Sequence, residues 1–459
     1  MSGDRAQTPV LQPLDDCREG LLLDLHIHNR QRYPFLLQSV AASTAQGRWD
    51  ILFAFPGERL ELDRANRLHG GPEGEGDFLR ALDTLFDAHG QAGRPRPGGL
   101  PFAGGWFLYL GYELARQVEP SLALPAVDEP LPTALAVHIP AAVLRDHDSG
   151  QHWWVAESSA VDTRCRPLFH ADGALPPADV GAAVTALEEE PGAAYRDAVE
   201  RARAYIHDGD IFQANLARRW RGRLRPESDP AALYRQLTLS NPAPFAGIAD
   251  LGEATVISSS PERLLSLQGG EAAMRPIAGT RPRGEGAGDA ALSRELLGHP
   301  KERAEHVMLI DLIRNDLGRV CRSGSIRVDE LMVLESYTHV HHIVSNVVGR
   351  LRPGIGPGAA IRAVFPGGTI TGCPKVRCMA IIAELEGRGR GAYTGSMGYL
   401  DAGGDMDLNI LIRTLVQSGD SVTLRAGAGI VADSEPTAEL AETRAKARGL
   451  LAALEALSQ

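Results

Sequence analysis

Two pairs of glutamates, each pair separated by two intervening residues, are the strongest chemical signal in this sequence. Glu302 and Glu305 lie in KERAEHVMLIDLIRNDLGRV, and Glu439 and Glu442 lie in AELAETRAKARGLLAAL. Both segments have the pattern of helices, so each pair places its two carboxylates on one helix face. Taken alone, either pair is explained by an exposed polar face. Carboxylates gathered in one cavity would instead need a cation, and Mg2+ prefers oxygen ligands of this kind.

A second set of residues predicts a site for a small anion. Arg413 lies in the apolar run LNILIRTLV, which predicts a buried charge paired either with a ligand carboxylate or with an internal glutamate. The small residues Ala428 and Gly429 would let a ligand approach the backbone amides closely. The loop FPGGTITGCP leads into a helix that begins near Lys375, and free amides at a helix N-terminus attract anions.

Three further polar residues are placed where they could face a cavity. Glu262 follows the turn in VISSSPERLLSL and could donate a proton to a leaving group. Gln213 follows a turn at the start of the strand-like run IFQANLARRW. His342, in the β-branched run YTHVHHIVSNVVGRL, is either a core histidine or a cavity residue. From the residues alone, we predict a Mg2+-dependent enzyme that acts on a small dianion.

The elements that must position these residues follow from the hydrophobic pattern. Short apolar runs predict strands at LLLDLHI, YPFLLQSV and WDILFAF, and DFLRALDTLFDAH has a helical period. The segment PIAGTRPRGEG, residues 276–286, is predicted to be a loop rich in glycine and proline. A stretch rich in Ala, Pro, Gly and acidic residues, 171–193, predicts a linker between an N-terminal region, 1–170, and a catalytic domain, 194–459.

Composition limits the class of protein. The chain has 459 residues, 44% hydrophobic and 23% charged, which is ordinary for a globular protein with a large core. Its net charge of −11 argues against non-specific nucleic-acid binding. The five scattered cysteines lack metal-ligand spacing and indicate free thiols in a reducing cytosol. With neither a signal-peptide pattern nor an apolar run of about 18 residues, we expect a cytoplasmic protein with no membrane partner.

These motifs closely resemble the chorismate-utilising enzymes, a family that includes anthranilate synthase component I, aminodeoxychorismate synthase component I, and the isochorismate and salicylate synthases. The resemblance covers roughly residues 190–455 and consists of long motifs in the family order: IFQANLARRW, SSPERL, PIAGTRPRG, RAEHVMLIDLIRNDLGRV, HHIVS, FPGGTITGCPKVR, GYLDAGGDMD, IRTLV and AGAGIVADS followed by AELAET. It implies an α+β fold in which large antiparallel β-sheets are sandwiched with flanking helices.

The resemblance also implies roles for the candidate residues. Glu305 and Glu442 would bind Mg2+, supported by Glu302 and Glu439, and the ion would hold the ring carboxylate of chorismate. Glu262 would be the general acid that assists loss of the C4 hydroxyl. The remaining catalytic residues would be His342, Gln213 and Thr280, and the substrate-binding residues Arg413, Tyr393, Thr369, Ala428, Gly429 and Lys375.

Three segments bear on which family member the chain resembles most. Gln213 stands where isochorismate and salicylate synthases carry a water-activating lysine, which argues against a water-using enzyme. Ala278 stands where many aminodeoxychorismate synthases carry a lysine that is proposed to attack C2, and anthranilate synthases share the PIAGT form seen here. Arg48–Leu52 (RWDIL) instead resembles aminodeoxychorismate synthases, and LLQS, 36–39, only partly matches the LLES feedback element of anthranilate synthases.

On balance, the resemblance favours aminodeoxychorismate synthase component I, with anthranilate synthase component I as the alternative. A Gly-x-Cys-x-Gly nucleophile motif is not visible in the sequence. We therefore expect a separate glutamine amidotransferase subunit to supply ammonia, and a downstream aminodeoxychorismate lyase to release 4-aminobenzoate for folate synthesis. A hypothesis from another class is a catalytically weak chain that uses the fold as a binding scaffold.

Overall fold

The computed structural model describes residues 8–41, 47–89, 97–282, 300–336 and 340–458. Its strands are Val10–Leu14 (β1), Phe35–Gln38 (β2), Trp49–Ala54 (β3), Arg59–Leu62 (β4), Leu68–His69 (β5), Gly105–Leu110 (β6), Ala134–Ile139 (β7), Ala141–Asp146 (β8), His152–Ala156 (β9), Val184–Glu189 (β10), Gln213–Leu224 (β11), Phe245–Asp250 (β12), Thr255–Ser260 (β13), Arg263–Gln268 (β14), Glu271–Met274 (β15), Ile277–Pro282 (β16), Arg327–Ser336 (β17), Val340–Arg350 (β18), Gly372–Cys373 (β19), Ser396–Asp401 (β20), Met406–Asn409 (β21), Thr414–Ser418 (β22) and Ser421–Ile430 (β23).

The α-helices of the same ranges are Leu21–His28 (α1), Phe78–Ala88 (α2), Ala115–Val118 (α3), Ser159–Gly173 (α4), Gly192–His207 (α5), Pro230–Ser240 (α6), Pro300–Gly318 (α7), Pro357–Val364 (α8), Lys375–Glu386 (α9) and Pro436–Glu455 (α10). The two glutamate pairs therefore lie on helices, α7 and α10, as the sequence predicts. None of the described helices is both long and apolar enough to cross a membrane.

The strands form two antiparallel sheets. Within the described ranges, the first sheet has 12 strands in the order β1-β9-β8-β3-β2-β12-β13-β22-β23-β11-β10, with β19 also paired to β11. The second has 11 strands in the order β16-β18-β15-β14-β21-β20-β6-β7-β4-β5, with β17 also paired to β18. The predicted α+β fold with large antiparallel sheets is confirmed.

The sheets pack against each other through an aromatic core. Phe35 of the first sheet stacks on Phe107 of the second with ring centres 3.9 Å apart, and Phe53 contacts the same ring edge-on at 5.6 Å. Helices cover the outer faces: α1, α4, α6 and α10 pack on the first sheet, and α2, α7 and α8 pack on the second. A strand between the two layers such as β6 is buried at every residue, whereas β11 alternates buried and more exposed residues.

Strands from both ends of the chain are interleaved in each sheet. From residues 1–170, β2 pairs with β12 in the first sheet and β6 pairs with β20 in the second. The predicted linker, 171–193, contains β10, which pairs with β11. The division of the chain into an N-terminal region, a linker and a catalytic domain remains a prediction.

Two local predictions were wrong. LLLDLHI forms helix α1 instead of a strand, and its residues Leu21–His26 are all buried. A short run that is buried on every side has no period that separates a helix from a strand. In the predicted loop 276–286, residues Ile277–Pro282 form β16 and pair with β18. The remainder of that loop, 283–286, lies outside the described residues.

Candidate active site

The candidate site lies where the chain twice crosses from one sheet to the other. Glu262 is in the short link between β13 of the first sheet and β14 of the second. Arg413 is in the link between β21 of the second sheet and β22 of the first. The links are hydrogen-bonded, because Ile410 N donates to Glu262 O at 2.9 Å and Ser259 N donates to Arg413 O at 3.1 Å. The junction therefore joins, through backbone hydrogen bonds, the segment that carries Glu262 and the segment that carries Arg413.

The apolar run LNILIRTLV predicts a strand at Arg413, but the residue lies in the link between β21 and β22. It has a φ of 53°, in the left-handed region that non-glycine residues seldom adopt. Burial lowers the pKa of Arg413 to about 10, and Tyr393 and Glu442 partly offset this effect. No carboxylate among the described residues lies within ion-pair distance of its guanidinium. Of the two partners expected for this charge, an internal glutamate is therefore not seen among the described residues, and the carboxylate of a ligand stays the predicted partner.

Glu262 has the environment of a proton donor. Its side chain is buried, and Oε1 accepts a hydrogen bond from the Thr369 hydroxyl at 2.7 Å. Burial raises the pKa of Glu262 from 4.5 to about 7, although the Thr369 hydrogen bond and the charge of Lys446 act in the opposite direction. An acid that titrates near neutral pH is protonated often enough to give up its proton and weak enough to be reprotonated.

Two glycines of β23 lie in close contact with polar atoms of neighbouring residues. A Cβ at Gly427 would lie 2.7 Å from Asn215 Oδ1 and 2.8 Å from the Tyr393 hydroxyl. A Cβ at Gly429 would lie 2.4 Å from Gln213 Nε2. A Cβ at Gly427 would also lie 2.7 Å from the Leu216 carbonyl oxygen, and one at Gly429 would displace the Gln213 carboxamide, so the polar ends of these side chains meet a bare backbone. Burial raises the pKa of Tyr393 to about 12, so its hydroxyl is a neutral donor at neutral pH.

Ala428 lies between these glycines and points the other way. Alternate residues of a strand face opposite sides, and the Ala428 methyl is buried with Leu216 and Ile430 under the helices α5 and α9. The predicted role of Ala428 in substrate binding uses only its backbone amide, so the orientation of the methyl group does not conflict with it. That role remains a prediction.

The glutamates of α7 and α10 act on one another electrostatically. Gln213 Nε2 donates to Glu305 Oε1 at 3.1 Å and ties α7 to the start of β11. Burial raises the pKa of Glu305, and the neighbouring carboxylates Glu302 and Glu442 raise it further. Lys446 partly offsets this repulsion and forms an ion pair with Glu442 at 2.7 Å. The cluster therefore carries excess negative charge with one ammonium group beside it.

The donor set fits Mg2+ by chemistry. Carboxylate oxygens and a carboxamide are the ligands that a hard divalent cation prefers, and one unpaired acceptor, Gln213 Oε1, is buried beside Glu305. Among the residues that the structure describes, no three His, Cys, Asp or Glu side chains converge closely enough to form a metal site. Which of the four predicted glutamates hold the ion remains a prediction.

Three other predicted residues have partners outside the Glu262–Arg413 junction. Lys375, at the start of α9, donates to Asp316 Oδ2 of α7 at 2.6 Å and to a backbone carbonyl. His342 of β18 is opposite Thr280 of β16 in the sheet. The side chain of Thr280 is outside the described part of the structure. The roles of these three residues in binding or catalysis remain predictions.

Two residues beside the candidate site were not predicted from the sequence. Lys446 follows Glu439 and Glu442 on α10, and the spacing of three and then four residues places all three on one helix face. Extending the glutamate pattern by one turn would have found it. Arg390, in GRGRGAYTG, is fully buried against Tyr393, but the sequence around it has only the pattern of a glycine-rich loop.

Comparison with known proteins gives the class. A family model described as chorismate binding enzyme matches residues 37–452. The chain belongs to this family, and it is an enzyme that acts on chorismate.

The relatives of the chain have two different names. The chain is 44% identical over 451 residues to anthranilate synthase component 1 of Thermus thermophilus, and the alignment covers 96% of each chain. It is 39% identical over 437 residues to aminodeoxychorismate synthase component 1 of Klebsiella aerogenes, covering 93% of this chain and 94% of the relative. Among solved structures, anthranilate synthase component I from Streptococcus pneumoniae aligns with a TM-score of 0.78 at 30% identity, covering 89% of this chain and 93% of that chain.

Proposed function

We propose that this enzyme aminates chorismate to 4-amino-4-deoxychorismate, using ammonia supplied by a glutamine amidotransferase subunit, for 4-aminobenzoate and folate synthesis. The observation that carries the proposal is the pairing at the sheet junction. A buried acid with a pKa of about 7, Glu262, lies on a link that is hydrogen-bonded to the one bearing Arg413, a cation without a described carboxylate partner. Chorismate offers a hydroxyl to protonate and carboxylates to bind.

In this proposal, some residues of the candidate site bind the substrate and another transfers a proton. Arg413 and Tyr393 bind the enolpyruvyl carboxylate together with the backbone amides near Gly429. Glu262 donates its proton to the C4 hydroxyl, which leaves as water, and ammonia forms the new C–N bond at C4. Thr369 holds the carboxyl group of Glu262 in place by its 2.7 Å hydrogen bond. General acid catalysis of this kind contributes on the order of 10^2 to 10^4 in rate.

Mg2+ is part of the proposal. Glu305 and Glu442 would hold the ion, with Glu302 and Glu439 in support. Bound there, Mg2+ would neutralise and orient the ring carboxylate of chorismate. The raised pKa of Glu305 supports this assignment, because carboxylates that repel one another are stabilised when a cation is bound.

Amination at C4 is supported by the N-terminal segment and by named relatives. Arg48–Leu52 has the RWDIL form that resembles aminodeoxychorismate synthases, and its Asp50 is buried and accepts hydrogen bonds from Ser39 N and His147. Relatives named aminodeoxychorismate synthase component 1 are 39% identical in Klebsiella aerogenes and 40% identical in Bacillus subtilis. The word component in these names supports a separate subunit that supplies ammonia.

Anthranilate synthase component I is the second candidate, and Ala278 favours it. Alanine cannot attack C2 as the lysine of many aminodeoxychorismate synthases is proposed to do. An enzyme with PIAGT would then add ammonia directly at C2 and release pyruvate to give anthranilate. The Thermus thermophilus relative, at 44% identity, supports this alternative.

Product analysis separates the two candidates. The purified chain is incubated with chorismate, Mg2+ and ammonium, with and without aminodeoxychorismate lyase. Formation of 4-aminobenzoate only when the lyase is present is the expected result. Anthranilate and pyruvate without lyase would show the second candidate instead. A folded chain that consumes no chorismate would support the scaffold hypothesis and refute both activities.

A further inference from the structure

The guanidinium group of Arg390 lies where several segments that carry site residues meet. Its side chain is 1% exposed. Nε and Nη2 donate to the two carboxylate oxygens of Glu386 at 3.0 and 2.6 Å. The other three N–H groups donate to the carbonyl of Asn215 at 2.6 Å, the carbonyl of Ile370 at 3.1 Å and the hydroxyl of Thr394 at 3.3 Å. All five donors of the guanidinium group therefore have an acceptor.

Three of the four acceptor residues lie next to or near a site residue in the sequence, and one of them, Thr394, directly follows Tyr393. Asn215 is on β11, two residues after Gln213, and Ile370 directly follows Thr369. The guanidinium carbon also lies 5.6 Å from the centre of the Tyr393 ring. The guanidinium group of Arg390 thus holds three parts of the site in fixed relative positions: strand β11, the turn that carries Thr369, and the ring of Tyr393.

We propose that Arg390 is a positioning residue for the reaction. Its planar fork sets the relative places of Tyr393 and Thr369 and, through Thr369, the direction of the Glu262 carboxyl group. The inference rests on the proposed function, because it takes this cavity as the chorismate site. Lysine keeps the charge but has three donors on a flexible stem, so it cannot hold the same acceptors in one plane.

The test compares Arg390→Lys with Arg218→Lys. Arg218 is a matched control, because its side chain is also 1% exposed and forms an ion pair, and its guanidinium lies 4.9 Å from the ring centre of Trp220. Its partners among the described residues are Glu189, the Glu190 carbonyl and Trp220, none of which belongs to the site. Both variants should lose thermal stability.

Only Arg390→Lys should change the kinetics. We expect kcat/KM for chorismate consumption to fall by about tenfold or more, since small misplacements of reacting groups are costly. The alkaline limb of the pH profile should also move to higher pH, because the Thr369 hydrogen bond lowers the pKa of Glu262 and its loss would raise it. Arg218→Lys should leave both quantities as they are in the wild type.

If Arg390→Lys fails to fold, Thr394 supplies the second test. Thr394→Ala removes one acceptor of the guanidinium and should raise KM for chorismate, and Thr394→Ser should restore it. Kinetic constants and a pH profile equal to those of Arg218→Lys, or an unchanged KM in Thr394→Ala, would overturn the inference. Wild-type protein that consumes no chorismate would refute the proposed function itself, which is a separate outcome.

Discussion

Replacing the buried acid should make the protein inactive and more stable at the same time. Glu262→Gln keeps the shape of the side chain and an oxygen that can accept the Thr369 hydrogen bond. It removes the proton that the C4 hydroxyl needs. Chorismate turnover should fall by about 10^2 to 10^4, which is the usual contribution of a general acid, and this corresponds to about 3–5 kcal/mol in the activation barrier.

The gain in stability follows from the pKa of the same group. Glu262 is 8% exposed, and burial raises its pKa from 4.5 to about 7 in the folded protein. Because the folded pKa is the higher one, the carboxyl group contributes no penalty below pH 4.5, and stability is lost as the pH rises towards about 7. At about 1.4 kcal/mol per pH unit, the loss at pH 8 is roughly 3 kcal/mol. Glutamine does not ionise and avoids this loss.

The effect on the free energy of unfolding is measured by urea unfolding of the wild type and Glu262→Gln at pH 4.5 and pH 8, with circular dichroism as the signal. The variant should equal the wild type at the lower pH and unfold at higher urea concentration at the higher pH. In the wild type, kcat/KM should be constant below pH 7 and fall about tenfold per unit above it, since the protonated acid is required. A variant that is less stable than the wild type at pH 8, or that retains turnover, would refute this account of Glu262.

Three further substitutions test other parts of the site. Glu305→Gln should reduce Mg2+-dependent chorismate turnover to background while the circular dichroism spectrum stays native, whereas Glu455→Gln, on the exposed end of α10, should retain full activity. Gly427→Ala places a methyl group 2.8 Å from the Tyr393 hydroxyl and should raise KM about tenfold or more, whereas Gly181→Ala, with open space around it, should not. Arg413→Met removes the charge that would bind a carboxylate of chorismate, so KM for chorismate should rise roughly a hundredfold in steady-state kinetics. Because that charge is buried, the thermal midpoint measured by calorimetry should be unchanged or higher.

The helices that carry the glutamates could be predicted because their signal is local. The spacing of Glu302 with Glu305, and of Glu439 with Glu442, fixes a shared helix face whatever lies around it. Helix α1 could not be predicted, since its leucines are buried in a core to which α4 and β2 contribute, and continuous burial hides the helical period.

Contacts between residues that are far apart in the sequence could not be predicted from sequence patterns. Nothing in VISSSPERLLSL shows that its two strands enter different sheets, and this crossing is what places Glu262 beside the link of Arg413. Lys375 finds its partner, Asp316, 59 residues away on another helix. Arg390 combines contacts from four separate segments, so its importance appears only when they are brought together. The resemblance to a known family supplied roles that composition and spacing alone did not.

The most direct test of the central claim is the position of nitrogen in the product. Chorismate is incubated with the purified enzyme, Mg2+ and 15N-ammonium, and the product is examined by carbon NMR for the carbon that is coupled to 15N. Coupling at C4 of a ring that still carries the enolpyruvyl group is the predicted result. Coupling at C2, with release of pyruvate, would contradict amination at C4 and identify the reaction as anthranilate synthesis.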